Sequence, residues 1–450
     1  MRIIAVTAVT LLTVGLSNPA AALAITPPQV DRLSVPADGS PSPDQPMRQS
    51  NVCATAIAAE EPDVSLPAAG FTMLNIADAW KYSTGAGVSV AVIDTGVTPG
   101  PRLPALPGGD YITGGDGLSD CDAHGTIVAS VIAAKASRTD GVVGVAPDAS
   151  VISIRQSSRA FEPTSFGSGD IEARKKAGTV STLARAIVHA ANLGARVINV
   201  SVTACVSSAE PLDQRTIGAA AWYAATVKDA VIVAAAGNVG EEGCAQNATL
   251  HPSHPGDRRD WSNVRTISSP SWFSDYVLSV GAVTAAGSPI DKSLAGPWVG
   301  VAAPGAGVTG LSPGPVNAHP PARPGEKAVP LWGTSFSAAY VSGVAALVRA
   351  RFPHLSAHQV VNRILQTAHS PARGVDNTIG HGVVDPVAAL TFDIPPGEFA
   401  PAGPQSRVLT IPAAPPAPDH RARNIGVILA VIAILGAMIV PLLSLARRSR

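Results

Sequence analysis

Short runs of unbroken apolar residues recur along this chain: VSVAVI at 88–93, VISI at 151–154, RVINVSV at 196–202, AVIVAA at 230–235 and VLSVGAV at 277–283. A strand with one wet face alternates polar and apolar residues, whereas a strand that never alternates is covered on both faces. Helical patterns separate these runs. One follows His124-Gly125-Thr126 over 127–134; another places Leu183, Ala184, Ile187, Val188 and Ala191 on one face, with Ser181 as a cap and Gly194 as a stop. Buried strands alternating with helices dictate a parallel sheet with helices packed on both faces, a doubly wound α/β fold.

The flanks are not part of that body. Residues 1–24 open with Met1-Arg2, continue through IIAVTAVTLLTVGL and end in Ala22-Leu23-Ala24, the charged start, apolar stretch and small-x-small site of a secretory signal peptide cut before Ile25. Residues 25–74 are Pro-rich and without period, an extension that runs over a surface. A second Pro- and Ala-rich stretch, 391–423, reads as a stiff spacer. Residues 424–446 contain IGVILAVIAILGAMIVPLLSLA, a charge-free run matching the roughly 20 residues that span a bilayer. Arg421 and Arg423 before it nearly balance Arg447, Arg448 and Arg450 after it, so the exported N-terminus decides the orientation: 447–450 is a cytoplasmic tail, and the body, 75–390, lies outside the cell membrane on a single-pass anchor.

Zero formal net charge with only 14% charged residues excludes the basic footprint of a nucleic-acid binder. Four cysteines in the exported part, Cys53, Cys121, Cys205 and Cys244, suggest two disulfides with three possible connectivities. None has zinc-site spacing, and His251 and His254 in HPSHP read as a surface loop instead of a metal site. No metal or cofactor is called for.

Polar residues at strand ends and helix starts carry the chemistry, because functional groups of open α/β sheets gather beyond the carboxyl ends of the strands. Asp94 closes the first strand in VIDTG, Asn238 closes a later one in AAAGN, His124 opens a helix in AHGT, and Ser335 opens another in GTSFS. Singly, each has an ordinary explanation: a turn residue, a structural histidine, a helix cap. Together they suit one reaction. A serine hydroxyl becomes a nucleophile when an imidazole takes its proton, and a buried carboxylate fixes the tautomer of that imidazole. The chain order Asp94, His124, Ser335 is the order found in subtilisin.

The blocks AVIDTGV, HGTIVAS, AAAGN and GTSFSAAYVSGVAALV resemble the Asp, His, Asn and Ser motifs of subtilisin-like serine proteases. The resemblance implies that Asp94 orients, His124 is base and acid, Ser335 attacks, and the Asn238 side chain with the Ser335 N–H forms the oxyanion hole. It also implies that a peptide or protein substrate pairs with Ser201, Val202 and Thr203, with Ala235, Ala236 and Gly237 walling the first pocket. Ile127, Phe336 and Tyr340 depart from the commoner pattern, which bears on the shape of the pocket. The layout is similar to that of the mycosins of actinobacterial type VII secretion, implying membrane components of a secretion complex as partners and an N-terminal extension that wraps the body without blocking it.

Two further expectations concern the cleft. Cys205 and Cys244 follow strands whose ends share one edge of a parallel sheet, which pairs Cys205 with Cys244 and leaves Cys53 for Cys121. The polar stretch 157–179 is longer than a strand-to-helix link needs, so it is either a loop restricting the cleft or a surface insertion. The functional readings are two: a membrane-anchored endopeptidase, or a structural subunit of a secretion complex in which proteolysis is secondary.

Overall fold

The computed structural model describes residues 25–59, 62–165, 171–209, 212–241, 243–249, 259–314, 318–372, 374–398 and 420–447. The signal peptide 1–24, the HPSHP stretch, most of the spacer and the last residues of the tail lie outside the described residues.

Seven strands form a single parallel sheet: β1 Ser89–Asp94, β2 Ala105–Asp110, β3 Ser150–Arg155, β4 Val197–Val200, β5 Val231–Ala235, β6 Val277–Val283 and β7 Val299–Pro304. Their spatial order is β2-β3-β1-β4-β5-β6-β7, and every neighbouring pair is parallel. The order reverses around β1, which therefore lies at the switch point where an open α/β sheet forms its crevice.

The absence of polar alternation has its expected cause. Val90 and Val92 of β1, with Val197, Val231 and Val233, pack against α1 (His124–Ala133) and against a long helix opened by Thr334. Ala91 and Ile93, with Ile152, Ile154, Ile198, Val200 and Ile232, face the opposite way, onto α2 (Ile171–Asn192) and the helix Arg215–Trp222. The period of two is present in the packing, but both faces are dry.

Thr334–Arg351 forms α3, buried from Thr334 through Arg349. A helix covered all round has no polar face to show, which explains its small-residue sequence. A Cβ on Gly343 would overlap the Val145 side chain, so this helix seats only because that position is bare. Ala357–Thr367 forms α4, opened by a capping box between Ser356 and Gln359.

The structure corrects two local expectations. Ser181 is not a helix cap: α2 begins at Ile171, so Ser181 lies inside it. Residues 171–179 are accordingly helical and not loop, while Phe161–Pro163 forms a strand paired antiparallel with Met47–Gln49; 166–170 lie outside the described residues. Two strands, β2 and β7, escaped the sequence reading. ALPGGD contains Pro and two glycines and VGVAAP is broken by Gly300, so neither announces itself as an apolar run.

The extension 25–59 is strapped to the body along its length. Besides the Met47–Gln49 pairing, Thr55–Ala56 pairs with Pro321–Ala322, Asp38 meets His189 at 2.8 Å, and Asp44 pairs with Arg185. Cys53 is bonded to Cys121, and Cys205 to Cys244.

The C-terminal unit, 402–450, is separate from the unit 1–401. Its described part is α5, Arg421–Arg447, on which Ile425, Val427, Ile428, Leu429, Ile432 and Leu435 are exposed. Among the described residues, no helix is long and apolar enough to cross a membrane. The side chains of the charge-free run beyond 437 lie outside the described residues.

Candidate active site

Asp94 ends β1 fully buried, and its Oδ1 lies 2.7 Å from His124 Nδ1. His124 is the first residue of α1, so the helix start must come down onto the end of β1. Gly125 permits that approach: a Cβ there would overlap the Gly96 carbonyl and press on the Asp94 side chain. The free N–H groups of the first turn are taken up locally. Gly125 N–H donates to Thr95 Oγ1 (2.9 Å), and Thr126 N–H donates to Asp120 Oδ2 (2.8 Å).

With a carboxylate as its neighbour, Nδ1 donates and Nε2 is left as the basic nitrogen. Burial by itself would push the imidazole down. The charge and hydrogen bond of Asp94 outweigh that, with Asp120 adding and Arg159 opposing, and hold His124 above its ordinary 6.5. Phe336 packs on the imidazole with ring centroids 5.3 Å apart.

Ser335 sits in the first turn of α3, just after Gly333, whose φ of 150° is a left-handed conformation that disfavours side chains. Its Oγ donates to the Ser201 carbonyl at 3.3 Å rather than to the imidazole. The carboxamide of Asn238 is oriented by Thr334, whose N–H (3.0 Å) and hydroxyl (3.1 Å) both donate to Asn238 Oδ1. Nδ2 therefore faces away, where it donates to Glu241 Oε2 at 3.2 Å.

These groups share one cleft of about 390 Å³, lined by Asp94, His124 and Ser335 with Asn238 and Phe336. Ser201, Val202, Thr203 and Ala235 line it as well, whereas Ala236 is fully buried and neither it nor Gly237 reaches the lining. Of the pattern departures, Ile127 and Phe336 shape the cleft, while Tyr340 lies in the core behind it. The described lining residues include none from 25–74. Among the described residues, no group of three or more His, Cys, Asp or Glu is placed to hold a metal ion.

Several contributors went unread in the sequence. Asn199 is buried in β4, donates to Ser201 Oγ (2.8 Å) and accepts from Ser342 of α3 (2.9 Å), fixing the segment that follows β4 to α3. Asp120 accepts from Thr95 and Thr126 and sits four residues before His124. An acidic residue just ahead of a helix start is a signal that could have found it. Glu241, Arg323 and Trp332 also line the cleft and come from segments distant in sequence, whereas Ser157, Ser158 and Arg159, which line it too, belong to the stretch 157–179 expected either to restrict the cleft or to lie on the surface.

The subtilase family matches residues 85–382. Mycosin-2 of Mycobacterium tuberculosis is 53% identical over 96% of this chain and 94% of its own length. The crystal structure of MycP1 from Mycobacterium smegmatis is similar with a TM-score of 0.80 and 48% identity, covering 86% of this chain and 100% of that one. The chain is a mycosin of the subtilase family. A third likeness, to a chain of an intact ESX-5 inner membrane complex, has a TM-score of 0.79 and 47% identity over 95% of this chain and 100% of that chain. As a subtilase, the mycosin is a serine protease, and its cleft is lined by residues at or just beyond the carboxyl ends of the central strands, among them Asp94, Ser201 and Ala235.

Proposed function

We propose that this mycosin is a membrane-anchored, extracytoplasmic serine endopeptidase that uses Asp94, His124 and Ser335. The observation that carries the reading is the 2.7 Å contact between His124 Nδ1 and a fully buried Asp94, in a cleft shared with Ser335. A peptide lies along Ser201-Val202-Thr203. Ser335 Oγ, turned from the Ser201 carbonyl toward Nε2, gives its proton to the imidazole and bonds to the scissile carbonyl carbon. The oxyanion is taken by Asn238 Nδ2 and the Ser335 N–H, at the positive end of α3. His124 returns the proton to the leaving amine, and water repeats the sequence on the acyl-enzyme.

The export signal in 1–24 and the charge-free run 425–446 support the placement outside the membrane, with 391–423 as spacer. The exposed apolar side chains of α5 agree with a lipid-facing helix. We assign the chain to a type VII secretion membrane complex on the strength of its relatives, one described as an essential component of the ESX-1 system and another solved within the ESX-5 inner membrane complex. That second likeness also supports a structural role beside proteolysis.

A fluorophosphonate probe tests the catalytic assignment. The wild-type chain is expected to be labelled, and Ser335→Ala and His124→Ala to lose labelling with the fold intact, since the two residues act as a unit. Labelling of Ser335→Ala at the wild-type rate would place the nucleophile elsewhere.

A further inference from the structure

Arg159 belongs to the segment leaving β3 and Glu241 to the segment leaving β5, and β1 and β4 lie between those strands. Three strand steps separate the two strand ends by about 14 Å, so side chains that meet there reach across the floor of the cleft. They do meet. Arg159 Nη2 lies 3.8 Å from Glu241 Oε2, and the same oxygen accepts the hydrogen bond from Asn238 Nδ2 at 3.2 Å. All three residues line the cleft.

Both ends of this bridge are anchored. The Arg159 N–H donates to Asp122 Oδ1 (3.2 Å) and Oδ2 (3.1 Å), and Asp122 also accepts from Ser158 Oγ (2.5 Å) and Arg323 (2.8 Å). On the other wall, the Glu241 N–H donates to the Asn238 carbonyl (3.1 Å), and the Glu241 carbonyl accepts from the N–H of disulfide-bonded Cys244 (2.8 Å).

Thr334 commits Asn238 Oδ1, so Nδ2 is the nitrogen available to a developing oxyanion. An amide NH₂ has two hydrogens, but a carboxylate on one of them leaves a negative charge beside the place where the second negative charge must form. Like charges at that separation oppose each other. An extended substrate on 201–203 also has to pass between the two walls that Arg159 and Glu241 join.

We propose that Glu241 is a positioning residue that restrains the oxyanion donor while the cleft is empty. Arg159 holds the carboxylate over the floor, Glu241 holds the Asn238 amide, and an incoming peptide parts the pair and frees Nδ2. The proposal rests on the reading of Asn238 as oxyanion donor.

The test is the second-order labelling rate of the full-length chain with a fluorophosphonate, whose phosphonyl oxygen occupies the oxyanion position when Ser335 Oγ displaces fluoride. Glu241→Ala is expected to label roughly two- to fivefold faster, the range of an exposed ion pair. Wild-type labelling should also accelerate with added salt, which screens that pair, while Glu241→Ala stays flat. Asn238→Ala should label roughly 100- to 1000-fold more slowly, and adding Glu241→Ala to it should bring no gain. Glu241→Ala labelling at or below the wild-type rate, with Asn238→Ala slow, would overturn the restraint alone. Asn238→Ala labelling like wild type would overturn the oxyanion assignment and the restraint with it.

Discussion

Asp120 and Thr126 are joined by two hydrogen bonds, from the Thr126 N–H at 2.8 Å and from its hydroxyl at 2.6 Å, both to Asp120 Oδ2. The other carboxylate oxygen accepts from Thr95 Oγ1 at 2.8 Å, and Thr95 directly follows Asp94. One buried carboxylate thus ties the helix that carries His124 to the strand that carries Asp94. Burial pushes Asp120 up to about 6; hydrogen bonds from Thr126 and Thr95 resist, and the nearby Asp94 charge adds to the rise.

With His124 as the proposed base, the charges around it are expected to set the acid limb of activity. The imidazole is a base only when deprotonated, so kcat/KM rises as pH climbs through its pKa. Because Asp94 outweighs burial, the midpoint is expected above 6.5. Asp120 raises His124 and Arg159 lowers it, so Asp120→Asn should move the limb to lower pH and Arg159→Ala to higher pH. Initial-rate pH profiles of peptide cleavage check both signs, and a limb that stays put in both variants would refute the assignment.

Gly125→Ala is expected to disable the enzyme from outside the proposed triad. The added Cβ overlaps the Gly96 carbonyl and forces α1 away from β1, and a displacement of about 1 Å costs on the order of 100-fold in rate. Overpacking should also destabilise the fold by about 1–3 kcal/mol. Probe labelling and thermal unfolding measure the two effects; near-wild-type labelling would mean that α1 tolerates the shift.

The disulfide Cys53–Cys121, with a sequence separation of 68, closes a loop whose removal from the unfolded ensemble corresponds to about 4 kcal/mol. In a Ser335→Ala background, which avoids self-cleavage, Cys53→Ser with Cys121→Ser is expected to lower the unfolding midpoint and open residues 47–57 to an added protease. Unchanged protection would show that the paired strands Met47–Gln49 and Thr55–Ala56 hold the extension without it.

If the chain is also a structural partner, its contribution survives loss of chemistry. In cells lacking the native gene, Ser335→Ala is expected to restore export through the cognate secretion system, while an active chain ending before Arg421 is not. Rescue by the truncated enzyme and failure of the anchored, inactive one would make proteolysis the essential role.

Local physics wrote much of this protein into its sequence. Runs such as AVIVAA have no polar residue to turn toward water, so they had to become strands covered on both sides, and the carboxyl ends of such strands form a crevice wherever the chain order reverses. Asp94, His124, Asn238 and Ser335 stand out because each interrupts an apolar run at its end. The signals failed where a role depends on a distant partner. Asn199 reads as one polar residue inside a strand until Ser342 of α3 is set against it. Nothing in the sequence joins Arg159 to Glu241 until the strand order brings the β3 and β5 loops together across β1 and β4. The strands at 47–49 and 55–56 have no apolar pattern because their stability comes from backbone pairing with Phe161–Pro163 and Pro321–Ala322. Hydrophobic period and chain order are local properties, legible residue by residue. Which charges face one another across a cleft depends on loop conformations and strand order, and only the folded chain decides it.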